Sequence, residues 1–360
     1  MKKINLLYLI ALFGVFFSAC HSDDDTWGDW TKSNSFPGEQ RVSAVAFQYG
    51  DVVYVGMGYN QSLSTKDKYL KNFYRFDGNS WTKEMDFPEA GRKGCVGFVI
   101  GDTAYIGAGF RGKEVTGLNR DLYYSDFYKY DLKGKKWAMN GTEYLKTDIR
   151  DFTTDTVACS FWGGVAFEMN GKGYGGTGQV DGRTSKNIYE YDPSTGTWTE
   201  KIFPGDARVG GVVFKVAGQV VLCLGSDGSQ NVTDVYAFDG TNWYKKAPLV
   251  DQDGSWNDDY GKIPRAYAVA FSSNLDGGID RGYICGGAGT KTAWEYRIDE
   301  DRWHEVTEFR DAMYIRIGGV GFAIKGYGYV TTGGSSLTTA NDNSTWKFIP
   351  GIDEDENNDY

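Results

Sequence analysis

Arginine recurs at one fixed place in this 360-residue chain. Arg41, Arg92, Arg208, Arg265 and Arg316 each stand six residues before the Phe of a Val-x-Phe string, and Phe161 takes that place in a sixth copy. A guanidinium offers planar, bidentate donors that match carboxylate and phosphate, so five at equivalent positions are candidates for capturing an anionic group. The structural alternative is that each pairs with an Asp or Glu of a neighbouring unit and fastens the units together. Further candidates lie in nearby loops: Tyr59, Arg111, Trp162, Trp256 and Tyr260, with Phe110, Tyr144, Arg150, Phe152 and Tyr314. Aromatic faces beside Asp, Asn and Arg suit a sugar ring, whose axial hydrogens stack while its hydroxyls seek polar partners. For any one of these residues the alternative is packing of the loop itself.

Other chemistry is excluded by count. The two histidines, His21 and His304, remove most routes to His-based metal sites and to Ser-His and Cys-His nucleophiles. Cys95, Cys159, Cys223 and Cys285 show no C-x-x-C spacing, which excludes a zinc site and leaves buried free thiols as the expectation. Asp251 to Ser255 resembles a calcium loop, but Trp256 holds the required glycine place and Lys262 the glutamate place, so it reads as a solvated turn. No metal and no cofactor is expected. Lys+Arg total 38 against 48 Asp+Glu, a net charge of -10, so nothing drives binding to nucleic acid by counterion release.

The elements that position these residues are strands. Glycine numbers 49 of 360 residues, about twice the usual ~7%, and aromatics reach 16%, a folded, turn-rich, all-β composition. Val-x-Phe occurs at Val45/Phe47, Val96/Phe98, Val165/Phe167, Val212/Phe214, Val269/Phe271 and Val320/Phe322, with Phe spacings of 51, 69, 47, 57 and 51 residues. Each copy is followed by a turn and a second apolar strand closing on glycine, such as Gly107-Ala108-Gly109 or Gly286-Gly287. An aromatic strand and a Trp come next: Tyr74 with Trp81, Tyr128 with Trp137, Tyr189 with Trp198, Tyr236 with Trp243 and Trp294 with Trp303.

This order of glycine pair, Tyr and Trp resembles the kelch repeat, over residues 27 to 350. The resemblance implies a β-propeller of six four-stranded blades around a channel. The sixth unit has Trp346 in the Tyr place but no closing Trp strand; Trp30 to Pro37 matches Trp81 to Pro88 by residue type and is predicted to complete that blade. The resemblance adds that kelch propellers binding acidic partners can line the pocket with arginines at strand starts.

The N-terminus reads as an address. Lys2 and Lys3 precede an apolar run from Ile4 to Phe17 of 14 residues, too short for a bilayer span of ~20. Residues 1–19 are predicted to be a signal peptide and 20–26 a lipid anchor and linker. Phe17-Ser18-Ala19-Cys20 resembles a bacterial lipobox, making Cys20 the lipidation site and the only link to the membrane. His21-Ser22-Asp23-Asp24-Asp25 resembles the export tag of Bacteroidetes-type surface lipoproteins, which implies an outer-membrane, surface-exposed protein. Residues 351–360 are read as an acidic C-terminal tail.

The resemblance to kelch propellers raises two enzymes. A galactose-oxidase copper site needs two histidine ligands and a tyrosine joined to cysteine, and cannot be assembled here. A kelch epimerase that interconverts sialic-acid anomers is compatible with the arginines, but no residue is marked as acid or base. The leading expectation is therefore a non-catalytic binding propeller for a glycan or a cell-surface or secreted protein, with an anionic ligand suited to the arginines. The alternative is a sugar mutarotase or epimerase acting on an acidic sugar such as sialic acid.

Overall fold

The structure is a computed structural model that describes residues 27–355 apart from 67, 150–159, 252–258, 311, 312 and 314. Cys20, the aspartates Asp23 to Asp25, Arg150, Phe152, Cys159, Trp256 and Tyr314 lie outside the described residues.

Each Val-x-Phe string forms an inner strand, hairpin-paired with the apolar strand after it. In the first blade Val45–Tyr49 pairs with Val52–Gly56, then Phe73–Phe76, then Trp81–Lys83. The same antiparallel order recurs in blades starting at Val96, Val165, Val212, Val269 and Val320. Phe and Tyr pair across the two inner strands: Phe47 stacks on Tyr54 with ring centroids 5.1 Å apart, and Phe98, Phe167, Phe271 and Phe322 repeat this on Tyr105, Tyr174, Tyr283 and Tyr329. Blades then pack face to face, and here glycine is needed for close approach. A Cβ on Gly173 would sit 2.0 Å from the Phe98 ring, and one on Gly282 2.0 Å from Phe214.

The second blade is irregular. Both Lys136–Trp137 and Lys146–Asp148 pair with Asp126–Asp131, with a hairpin of Met139–Asn140 and Glu143–Tyr144 between them. This insertion contributes to the 69-residue spacing.

The sixth blade is closed by the N-terminus. Trp27–Ser33 pairs antiparallel with Thr345–Asp353, and Trp30 lies opposite Phe348. Trp30 is fully buried, and its Nε1 donates to the Thr307 carbonyl at 2.9 Å. The strand Thr345–Asp353 corrects the boundary read at 350. Its last residues pair with the first strand, Trp27 opposite Asp353, rather than beginning a free tail.

Cys95, Cys223 and Cys285 are free and buried in the blade cores. Burial pushes the Cys95 and Cys223 thiols up to about 12, which makes them packing residues rather than nucleophiles.

Candidate functional site

Two residues after each arginine place the chain turns into its inner strand through the left-handed region: Ser43, Gly94, Gly163, Gly210, Tyr267 and Gly318 have φ of 52, 61, 63, 67, 59 and 63°. This conformation aims each amide at the preceding blade. Ser43 N–H donates to the Gly318 carbonyl, Gly94 to Ser43, Gly163 to Gly94, Gly210 to Gly163, Tyr267 to Gly210 and Gly318 to Tyr267, at 2.7 to 3.1 Å. Six amides thus form a closed hydrogen-bonded ring around the throat of the propeller, with glycine at four positions. Tyr267 lays its ring over Gly210, where a Cβ would meet it at 2.8 Å, and stacks on Trp162 at 6.4 Å. The throat is therefore narrow on this face. A cavity of about 470 Å³, lined by Ala46, Gln48, Lys215, Ala270 and Ser272 among others, lies along the inner strands.

The arginines do not present a positive ring to solvent. Arg41, Arg208 and Arg316 are 0% exposed, Arg265 1% and Arg92 2%, and each guanidinium turns into its own blade. The cause is an acceptor presented by the end of the second strand. Met57, Ala108, Leu224, Gly286 and Thr332 all have positive φ, and each carbonyl accepts from an arginine Nη1, at 3.1, 3.3, 3.2, 3.3 and 2.9 Å. A second tie runs to the residue two before the aromatic of the third strand: the carbonyls of Asn72, Thr292 and Ser344, or the carboxylates of Asp126 and Asp234. Arg316 also pairs with Asp342 at 2.9 Å and Arg41 with Glu39 at 3.3 Å. Burial pushes Arg41, Arg265 and Arg316 down to about 10, so they stay charged at neutral pH. The fastening alternative also needs correction, because the partners of Arg92, Arg208 and Arg316 lie in the same blade, not the adjacent one.

The residue after each arginine place is Val42, Lys93, Trp162, Val209, Ala266 or Ile317, and of these Lys93, Trp162 and Ile317 are half-buried while the others are buried. Lys93 is the cation among them. Its Nζ lies 4.9 Å from the ring centroid of Tyr59, 5.3 Å from Phe110 and 5.1 Å from Trp162. The backbone sets this, since Lys93 and Phe110 exchange both amide hydrogen bonds, at 3.1 and 2.9 Å. Arg111 donates to the Gly91 carbonyl at 2.8 Å and lies 5.5 Å from the Tyr69 ring. The Tyr69 hydroxyl donates to Glu114 Oε1 at 3.0 Å and accepts from the Gly112 amide at 2.9 Å. Burial lowers the Lys93 pKa, against the opposing charges of Glu114 and Asp121, and raises the Tyr69 phenol. Two cations, a carboxylate and a half-buried indole face thus meet in one cluster.

Of the residues singled out from sequence, Tyr59, Arg111 and Trp162 come together here. Tyr260 does not: it is 1% exposed, and its hydroxyl bonds the backbone of Trp303, making it core. Lys93 was not singled out. The available signal was a lone cation at a repeat position otherwise held by Val, Trp, Ala and Ile.

No family model matches the chain. It is 25% identical over 266 residues, 64% of this chain and 67% of the relative, to the N-acetylneuraminate epimerase of Pasteurella multocida (strain Pm70). The solved structure of YjhT superposes with a TM-score of 0.62 at 18% identity, covering 87% of this chain and 95% of that one. The latter likeness concerns fold alone. The chain is a six-bladed β-propeller.

Proposed function

We propose that this propeller acts on an acidic sugar of the N-acetylneuraminate class, exchanging its anomers or epimers at the Lys93 cluster. The sequence similarity to the epimerase carries the reading. It moves the balance from the non-catalytic binding expected of the sequence to the enzymatic alternative. The cluster supplies what such a substrate requires: Lys93 and Arg111 for a carboxylate, Trp162 for the sugar face, and Glu114 with Tyr69 for protons. Anomer exchange opens the sugar ring as a base takes the anomeric hydroxyl proton and an acid protonates the ring oxygen, then closes it on the other face. No redox partner is required. In this proposal Glu114, its carboxylate held by the Tyr69 hydroxyl, accepts the anomeric proton while water protonates the ring oxygen, and closure on the other face reverses both transfers.

The test is anomer exchange of N-acetylneuraminate followed by NMR with the soluble domain. Acceleration is expected, and a rate equal to the uncatalysed one overturns the reading in favour of binding without turnover. Lys93→Met keeps the aromatic contacts but removes the charge, and should weaken N-acetylneuraminate binding by about 10-fold to 100-fold, the range for hydrogen bonds to charged groups. Neutral sugars should be unaffected. Because Lys93 is shifted down by burial, wild-type affinity should fall as pH rises, and at a lower pH than the ordinary lysine value of 10.5.

The address belongs to the same proposal: a lipid on Cys20 tethers the domain to the outer membrane, and Asp23 to Asp25 direct it to the surface. Cys20→Ala should move the protein from the membrane to the soluble fraction, and retention on membranes would overturn the tether.

A further inference from the structure

The third blade lacks its clamp, and a pocket lies there. Phe161 stands where the other blades carry arginine and has no donor to offer. The position that supplies Asp126 and Asp234 to neighbouring clamps holds Asn187, as the intact clamp of the first blade holds Asn72 there. Thr177, the counterpart of Leu224 and Ala108, has the same positive φ of 55°. Its residue is 1% exposed, and its Oγ1, like that of its sixth-blade counterpart Thr332, finds no hydrogen-bond partner among the described residues. An unpaired hydroxyl at that depth is costly unless something pairs with it.

Thr177 lines a pocket of about 700 Å³ together with Ser160, Phe161, Ser185, Asn187 and Tyr189, and with Asp181 and Arg183. The size is that of a small-molecule site. Its wall combines hydroxyls and an amide with the rings of Phe161 and Tyr189. The Asn187 side chain donates to the Tyr189 hydroxyl at 3.1 Å, and the Ser185 hydroxyl accepts from the Asn187 amide at 3.0 Å, so the lining is held in place before any ligand arrives. The lining sets one carboxylate, Asp181, against one guanidinium, Arg183, so it carries no net charge that would select a charged ligand. A neutral group carrying several hydroxyls can both donate to and accept from Thr177 and lay its C–H face on Phe161.

We propose that the vacated clamp of the third blade is a saccharide subsite that takes a neutral, polyhydroxylated group. It goes beyond the reaction proposed above, since it requires neither turnover nor a charged ligand.

The test uses the double variant Phe161→Arg/Asn187→Asp, which rebuilds the clamp, and Thr177→Val, which removes one hydroxyl at constant shape. The probes are methyl glucoside, methyl galactoside and methyl N-acetylglucosaminide, read by saturation-transfer NMR and titration. At least one should bind the wild type, lose binding in the clamp-restored protein, and bind Thr177→Val about threefold to tenfold more weakly, the worth of one neutral hydrogen bond. Should the double variant fail to fold, Thr177→Val alone decides. No glycoside binding to wild type, or equal binding to Thr177→Val, overturns the subsite. Anomer exchange of N-acetylneuraminate measured on the same proteins separates the two proposals. Exchange that persists when glycoside binding is absent sinks only the subsite, and glycoside binding without exchange sinks only the enzymatic reading.

Discussion

A chain beginning at Gln40 is expected to melt far below the full-length protein or to remain unfolded. The missing segment is the outer strand of the sixth blade, paired from Trp27 to Ser33 against Thr345–Asp353. Its loss exposes a sheet edge and removes Trp30 from a pocket walled by Phe309 and Phe348, at centroid distances of 5.1 and 4.8 Å. Trp30→Ala alone should cost about 3–5 kcal/mol, the range for emptying a buried aromatic site. The deletion also removes the buried Asp29, which Arg310 holds at 2.8 Å, and leaves Arg310 to Glu354 at 3.7 Å. Thermal and urea unfolding of both variants check this. An unchanged melting temperature for the deletion would refute closure by the N-terminal strand.

Arg208→Ala is expected to destabilise the fold by about 3–5 kcal/mol while leaving affinity for acidic sugars unchanged. The substitution leaves the Leu224 carbonyl without its Nη1 donor and Asp234, in a side chain only 12% exposed, without its cation. Adding Asp234→Asn should recover part of the loss, because the uncompensated charge is then gone. Melting temperature and affinity for N-acetylneuraminate measured on the same proteins separate a clamp from a recognition residue. A stable Arg208→Ala protein that has lost the acidic ligand would return the arginine to the binding face.

The architecture is legible from sequence because each blade is local. Its strands are consecutive, joined by turns whose glycines and period-2 alternation stand in the chain, and six Val-x-Phe strings mark the inner strands. Even the long-range closure shows, because the string from Trp30 to Pro37 duplicates the one from Trp81 to Pro88.

Side-chain direction is a different matter. The repeat position of the arginines was evident, but whether their guanidiniums face a ligand or the blade depends on acceptors brought from the ends of the second strand and the starts of the third, which meet them only in the folded sheet. A carbonyl at positive φ 16 residues onward decides it for Arg41, Arg92, Arg208 and Arg316. The same holds at the throat. Adjacent residues Arg92 and Lys93 look alike as cations, yet the chain turn at Gly94 buries the first beside Asp126 and sets the second among rings from three blades' loops. Tyr260 reads as a loop aromatic until the backbone of Trp303 claims its hydroxyl. Local periodicity thus determined the strands, blades and ring closure, while the tertiary structure decided which polar groups found partners inside and which were left for a ligand, because a buried donor goes wherever folding places an acceptor.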